Sequence, residues 1–111
     1  MNDEKLLELA AKAAGIKLIQ MPPGVYRNAT GAKPENNAFG LPTWNPLTDD
    51  GDAFRLAAKL KLQVAFGTFK DDECVGYQFG KPSIIETGEN LEAAAREVIV
   101  RTAAEIGKEM K

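Results

Sequence analysis

The sequence predicts an α+β domain in which a small, mainly antiparallel sheet is layered with three helices in the manner of an α/β/α sandwich. Three observations predict it. Apolar residues recur at helical spacing in three separate segments, the second and third with capping residues at their starts, and two alternating apolar runs flank the turn-forming Lys70-Asp71-Asp72-Glu73. The order reads helix, strand, long loop, helix, hairpin, helix. Helices segregated over an antiparallel sheet give the layered class.

The first helix spans residues 3 to 14, with Leu6, Leu9, Ala10 and Ala13 on one stripe and Glu4, Lys5, Glu8 and Lys12 on the wet face. Gly15 stands where a helix turns left-handed and stops. Ile16 to Met21 is β-prone and reads as a short strand ended by Pro22-Pro23-Gly24, with Val25 and Tyr26 resuming it. Between residues 22 and 47 lie five of the six prolines, four asparagines and three glycines, a Pro/Asn/Gly-rich loop inside the single domain 1–111. A loop this long is functional or disordered, and its rings Tyr26, Phe39 and Trp44 argue against disorder. Two readings of those rings are open: they pin the loop onto the core, or they line a surface for a ligand or partner.

The second helix follows Trp44-Asn45-Pro46-Leu47. Pro46 biases Asn45 toward an extended conformation, Thr48 or Asp49 caps the helix, and Asp50 and Asp52 sit at the positive end of its dipole. Ala53, Leu56, Ala57 and Leu60 form its face. Leu62 to Phe69 puts Leu62, Val64 and Phe66 on one side of a strand, and Cys74 to Phe79 returns with Val75, Tyr77 and Phe79 alternating. Gly67 and Gly76 mark a bulge or a close backbone approach, Gly80-Lys81-Pro82 ends the second strand, and residues 83 to 86 form a further short one. The last helix is capped within residues 87 to 90, carries Leu91, Ala94, Ala95, Val98, Ile99, Thr102 and Ile106 inward, and ends at Gly107 and Lys108. Ala93, Val100 and Ala104 make a second apolar line, which is either scattered surface or the seat of a homo-oligomer.

Composition limits the function classes. With 44 % apolar and 27 % charged residues the chain has the make-up of an ordinary soluble globular protein. A formal charge of −2 gives no general attraction to nucleic acid or to an anionic membrane. Asn2, Asp3 and Glu4 do not open a signal peptide, no stretch has the length of a membrane span, and one cysteine forms no internal bridge. The expected location is the cytoplasm.

Catalytic and metal chemistry finds little to use. There is no histidine, which removes Ser-His-Asp, Cys-His and most zinc sites, and Cys74 in a predicted strand reads as a buried inert thiol. Asp49-Asp50-Gly51-Asp52 lacks the spacing of a calcium loop and reads as helix capping. Gly80-Lys81-Pro82-Ser83 fails as a phosphate loop because proline interrupts the Gly-Lys-Ser/Thr order. The expectation is a non-enzyme without a cofactor or a metal. Arg27 opens the polar loop beside Tyr26 with no acid near it in sequence, and a planar cation among rings suits a base or phosphate. Arg96 and Arg101 each have an acid four residues before them, Glu92 and Glu97, so ion pairs account for both, with anion binding as the other reading.

Trp44-Asn45-Pro46-Leu47, then Asp49, Asp52-Ala53 and Arg55-Leu56, and the closing run from Glu92 to Gly107, resemble small bacteriophage and prophage proteins of the phage α/β/α sandwich domain family. The likeness covers the chain from Trp44 onward. It implies a cytoplasmic phage accessory protein and brings no catalytic residue with it. On that footing the first expectation is a non-enzymatic sponge. It would sequester a small anionic, nucleotide-like signal of host antiphage defence, using Tyr26, Arg27, Trp44, Asn45 and, from a second subunit, Arg96 or Arg101. The alternative is an antagonist of a host protein, or a virion-assembly accessory, acting through an acidic surface of Asp49, Asp50, Asp52, Asp71, Asp72 and Glu73.

Overall fold

The computed structural model describes residues 2–20, 24–31, 40–66, 73–77, 84–87 and 90–110. Asn2 opens helix α1 (Asp3–Ala14) by accepting the Lys5 N–H at 2.8 Å, and Gly15 closes it at φ +70°. Strands β1 (Leu18–Gln20) and β2 (Tyr26–Asn28) follow as an antiparallel pair with Ile19 opposite Arg27. The end of the long loop then lies along the other edge of β2. Asn28 N–H donates to the Pro42 carbonyl at 2.9 Å, Trp44 N–H donates to the Tyr26 carbonyl at 2.8 Å, and Arg27 faces Thr43 in an isolated bridge.

Helix α2 (Asp50–Leu60) is capped by Asp49, whose carboxylate accepts the Asp52 N–H at 2.7 Å. It ends on Lys61, at φ +55° the one non-glycine with a positive φ among the described residues. A left-handed lysine costs about 1 kcal/mol relative to glycine. Lys61 and Leu62 N–H close on the Ala58 and Ala57 carbonyls, and the chain enters β3 (Gln63–Phe66) at once. With β4 (Glu73–Tyr77) and β5 (Ile84–Thr87) it forms an antiparallel sheet of order β3-β4-β5, Ala65 opposite Val75 and Val75 opposite Ile85. The α+β class and the antiparallel pairing are as the sequence predicts. The strands, however, divide between a two-stranded sheet, in which β2 pairs back onto β1, and the separate three-stranded sheet β3-β4-β5.

Helix α3 (Leu91–Glu109), capped by Asn90 on the Ala93 N–H at 2.8 Å, is the common partner of α1, α2 and the three-stranded sheet. Val98 and Thr102 meet the sheet at Gly76, where an added Cβ would stand 3.1 Å from both side chains; this is the close approach that the glycine marks. Gly107 does not end the helix as the sequence suggests. It lies two residues inside, where a Cβ would come within 1.9 Å of the Leu9 carbonyl oxygen, so glycine sets the closeness of α1 to α3. Val100 and Ala104 of the second apolar line are fully buried in the same core as Ala10, Ala11 and Ala14, which removes them as a free face for an oligomer. Leu56 and Val98 are equally enclosed, each stabilising the fold by about 1.5–3 kcal/mol.

Phe39, Gly67, the reversal at residues 70–72, Pro22-Pro23 and the strand end at residues 80–82 lie outside the described residues. No described helix is long and apolar enough to cross a membrane.

Candidate functional site

The residues that the sequence nominates for a ligand are drawn into the architecture. Tyr26 and Trp44 are buried in the core, so these two rings pin the ends of the loop. Burial pushes the Tyr26 phenol above its ordinary pKa, and its hydrogen bond to Glu8 Oε1 at 3.2 Å adds to the effect. Arg27 sends Nη1 to the Leu41 carbonyl at 2.9 Å, bracing the residues that run beside β2. Asn45 organises the turn into α2: its Oδ1 accepts the Leu47 N–H at 3.0 Å and its own N–H donates to Asp52 Oδ2 at 2.9 Å.

Arg96 reaches across to the same turn. Its Nε donates to the Leu47 carbonyl at 2.9 Å and its Nη1 pairs with Asp50, so the expected pairing with Glu92 is replaced by a strap from α3 to the start of α2. The half-buried position of Arg96 favours those fixed partners over a solvated helix-surface pair. Arg101 pairs with Glu97 at 2.7 Å as the four-residue spacing predicts. Tyr26, Arg27, Trp44, Asn45 and Arg96 thus meet along one backbone path, while Arg101 stands apart on α3.

The acidic stretch is similarly employed. Asp49 caps α2, Asp50 holds Arg96, and the largely buried Asp52 accepts from Asn45 N–H and, at 2.8 Å, from Arg55. Asp71 and Asp72 lie outside the described residues.

What is open to a ligand lies elsewhere. Between α2, β3 and α3 runs a groove of about 540 Å³. Leu62, Val64 and Phe66 of the β3 segment, Ala53, Phe54, Ala57 and Ala58 of α2, and Ala95 and Ile99 of α3 line it; Asp50, Glu92, Arg96 and Lys61 are its charged members. Phe54 is 74 % exposed and Phe66 56 %, which makes this the most exposed aromatic surface among the described residues. It arises because α3 covers β4 at Gly76 and α2 is offset by the tight Lys61-Leu62 reversal, so neither helix roofs the outer end of β3. The alternation of Leu62, Val64 and Phe66 is read correctly from sequence as one face; that the face is only half covered is not. The one signal was Phe54, a large apolar residue beside the buried stripe of α2 with Ala57 and Ala58 on its own side.

A second cavity of about 440 Å³ lies between the end of α1, the Pro42-Thr43-Trp44 edge and α2, with Asn28, Thr30, Asp52, Arg55 and Lys59 in its lining. Arg55 there is neutralised by Asp52 at 2.8 Å and Asp49 at 3.9 Å. Cys74 is fully buried, and desolvation raises its thiol pKa, the opposite of what a nucleophile needs.

Comparison of the chain with protein families, with curated proteins and with solved structures gives no match. The likeness to the phage family is carried by its quoted residues alone.

Proposed function

We propose that this chain is a non-catalytic binding protein that sequesters a small ligand in the groove between α2, β3 and α3. In the phage setting that the second half of the chain resembles, it would act as an accessory sponge for a host signal. The observation that carries the reading is the pair Phe54 and Phe66, exposed on either side of an apolar trough that the fold keeps open. Burying one such ring against a ligand stabilises a complex by about 1.5–3 kcal/mol, enough for binding without a catalytic group.

The groove also bears on the ligand. Its walls are mainly aliphatic and aromatic, so a hydrogen-bonding edge of a nucleotide base laid against them would be buried without a partner, at a cost of about 1–3 kcal/mol. An alkyl or aryl body suits the trough better. The uncharged dye N-phenyl-1-naphthylamine tests the site: its fluorescence should rise on mixing with the protein, and Phe54→Ala and Phe66→Ala should each weaken its binding about tenfold. Binding unaffected by both substitutions would refute the groove as the site. A panel of cyclic and linear nucleotides, titrated as competitors, separates the nucleotide expectation from the apolar one.

A further inference from the structure

We infer that the ligand of this groove is an amphipathic anion, a long-chain carboxylate whose alkyl chain lies along Phe54, Val64 and Phe66 and whose head sits at Lys61. The inference rests on the groove reading above and adds the chemistry of the ligand's two ends.

Two independent observations place the head. The first is the distribution of charge around the groove. Arg96 is occupied by Asp50 and the Leu47 carbonyl, and Glu92 stands exposed near them, so that end of the groove repels an anion. Lys61 is exposed in the lining, and no carboxylate among the described residues pairs with it.

The second is backbone conformation. Lys61 occupies the left-handed cap of α2 at φ +55°, a position where glycine fits without strain, as Gly15 does at the corresponding end of α1. The cap itself needs only a backbone N–H, and it donates that to Ala57 and Ala58. The residue that this cap carries is thus an exposed cation in the lining of the groove, where a glycine would carry none. The tail follows from the walls: the side chains of Val64, Ala57 and Ile99 offer no donor or acceptor, which suits methylene groups and not a second polar end.

Titration of the full chain with decanoate and with decan-1-ol, both below their aggregation limits and followed by calorimetry and by NMR shifts of Phe54 and Phe66, tests this. Decanoate should bind at least tenfold more tightly than the alcohol. Lys61→Gln should erase that preference while leaving the alcohol's affinity unchanged. Lys61→Gly should erase it too, with a Tm equal to or above that of the parent, which separates loss of the ammonium from damage to the fold. Equal binding of acid and alcohol to the parent, or a preference that survives Lys61→Gln, would overturn the carboxylate head and leave the groove reading standing. Binding of neither compound would overturn both.

Discussion

The backbone of Gly107 in α3 stands against Leu9 of α1 so closely that a Cβ built on the glycine would fall 1.9 Å from the Leu9 carbonyl oxygen. The obstructing atom is backbone, so no side-chain rotation relieves the clash. Gly107→Ala gains about 1 kcal/mol of helix propensity and loses about 1–3 kcal/mol or more to overpacking. The net outcome is destabilisation by up to about 2 kcal/mol, read as a lower urea midpoint with an unchanged slope. An unchanged or raised midpoint would show that the two helices do not meet there.

Asp52 ties the turn at Asn45 to the first turn of α2. Asp52→Ala leaves the Asn45 N–H without its acceptor and removes the Arg55 contact at 2.8 Å, for an expected loss of about 1–3 kcal/mol. Asp52→Asn keeps an acceptor oxygen and should cost less than half as much in the same denaturation experiment.

Arg96 and Glu92 discriminate the strap from the helix pair that spacing alone suggests. Arg96→Ala should cost about 1–2 kcal/mol, since the Leu47 carbonyl and Asp50 both lose their partner. Glu92→Ala should change stability by only a few tenths of a kcal/mol, the size of a helix-dipole contribution. Equal effects in thermal melts would restore the Glu92–Arg96 pair.

Tyr26 governs the alkaline limb of stability. Its pKa in the folded chain is raised above the ordinary 10.0, first by burial and then by Glu8, so the folded state holds its proton longer than the unfolded state does. The contribution is therefore complete below pH 10 and is lost as pH rises through the folded pKa. Cys74, raised from 9.0 by burial, adds a loss of the same sign that begins about one unit lower. Melts between pH 8 and 11 should show stability falling above pH 9, and Tyr26→Phe should flatten the part above pH 10. A thiol reagent at pH 8 should label Cys74 only as fast as the chain opens.

The parts of the fold that were legible are those written in local chemistry. Asp49 and Asn90 cap their helices, Gly15 stops the first one, and Leu56, Val98 and Thr102 turn inward as helical period requires. Gly107 was misread as a stop because a C-terminal glycine and a glycine of close approach look alike in one dimension. The contacts of Arg27 and Arg96 with the carbonyls of Leu41 and Leu47 were not legible, because those partners are backbone atoms with no signature in the sequence. The groove was invisible for a related reason. Whether Phe66 ends under a helix or beside one depends on the offset between α2 and α3, which no periodicity encodes.

Helix α3 comes at the opposite end of this sequence from α1, yet it supplies the surface on which α1, α2 and the three-stranded sheet all rest. During synthesis, the earlier elements emerge with their oily sides bare and must wait for it. The nascent polypeptide therefore acquires its structure late and all together, and it depends in the meantime on whatever shields such surfaces in the cell.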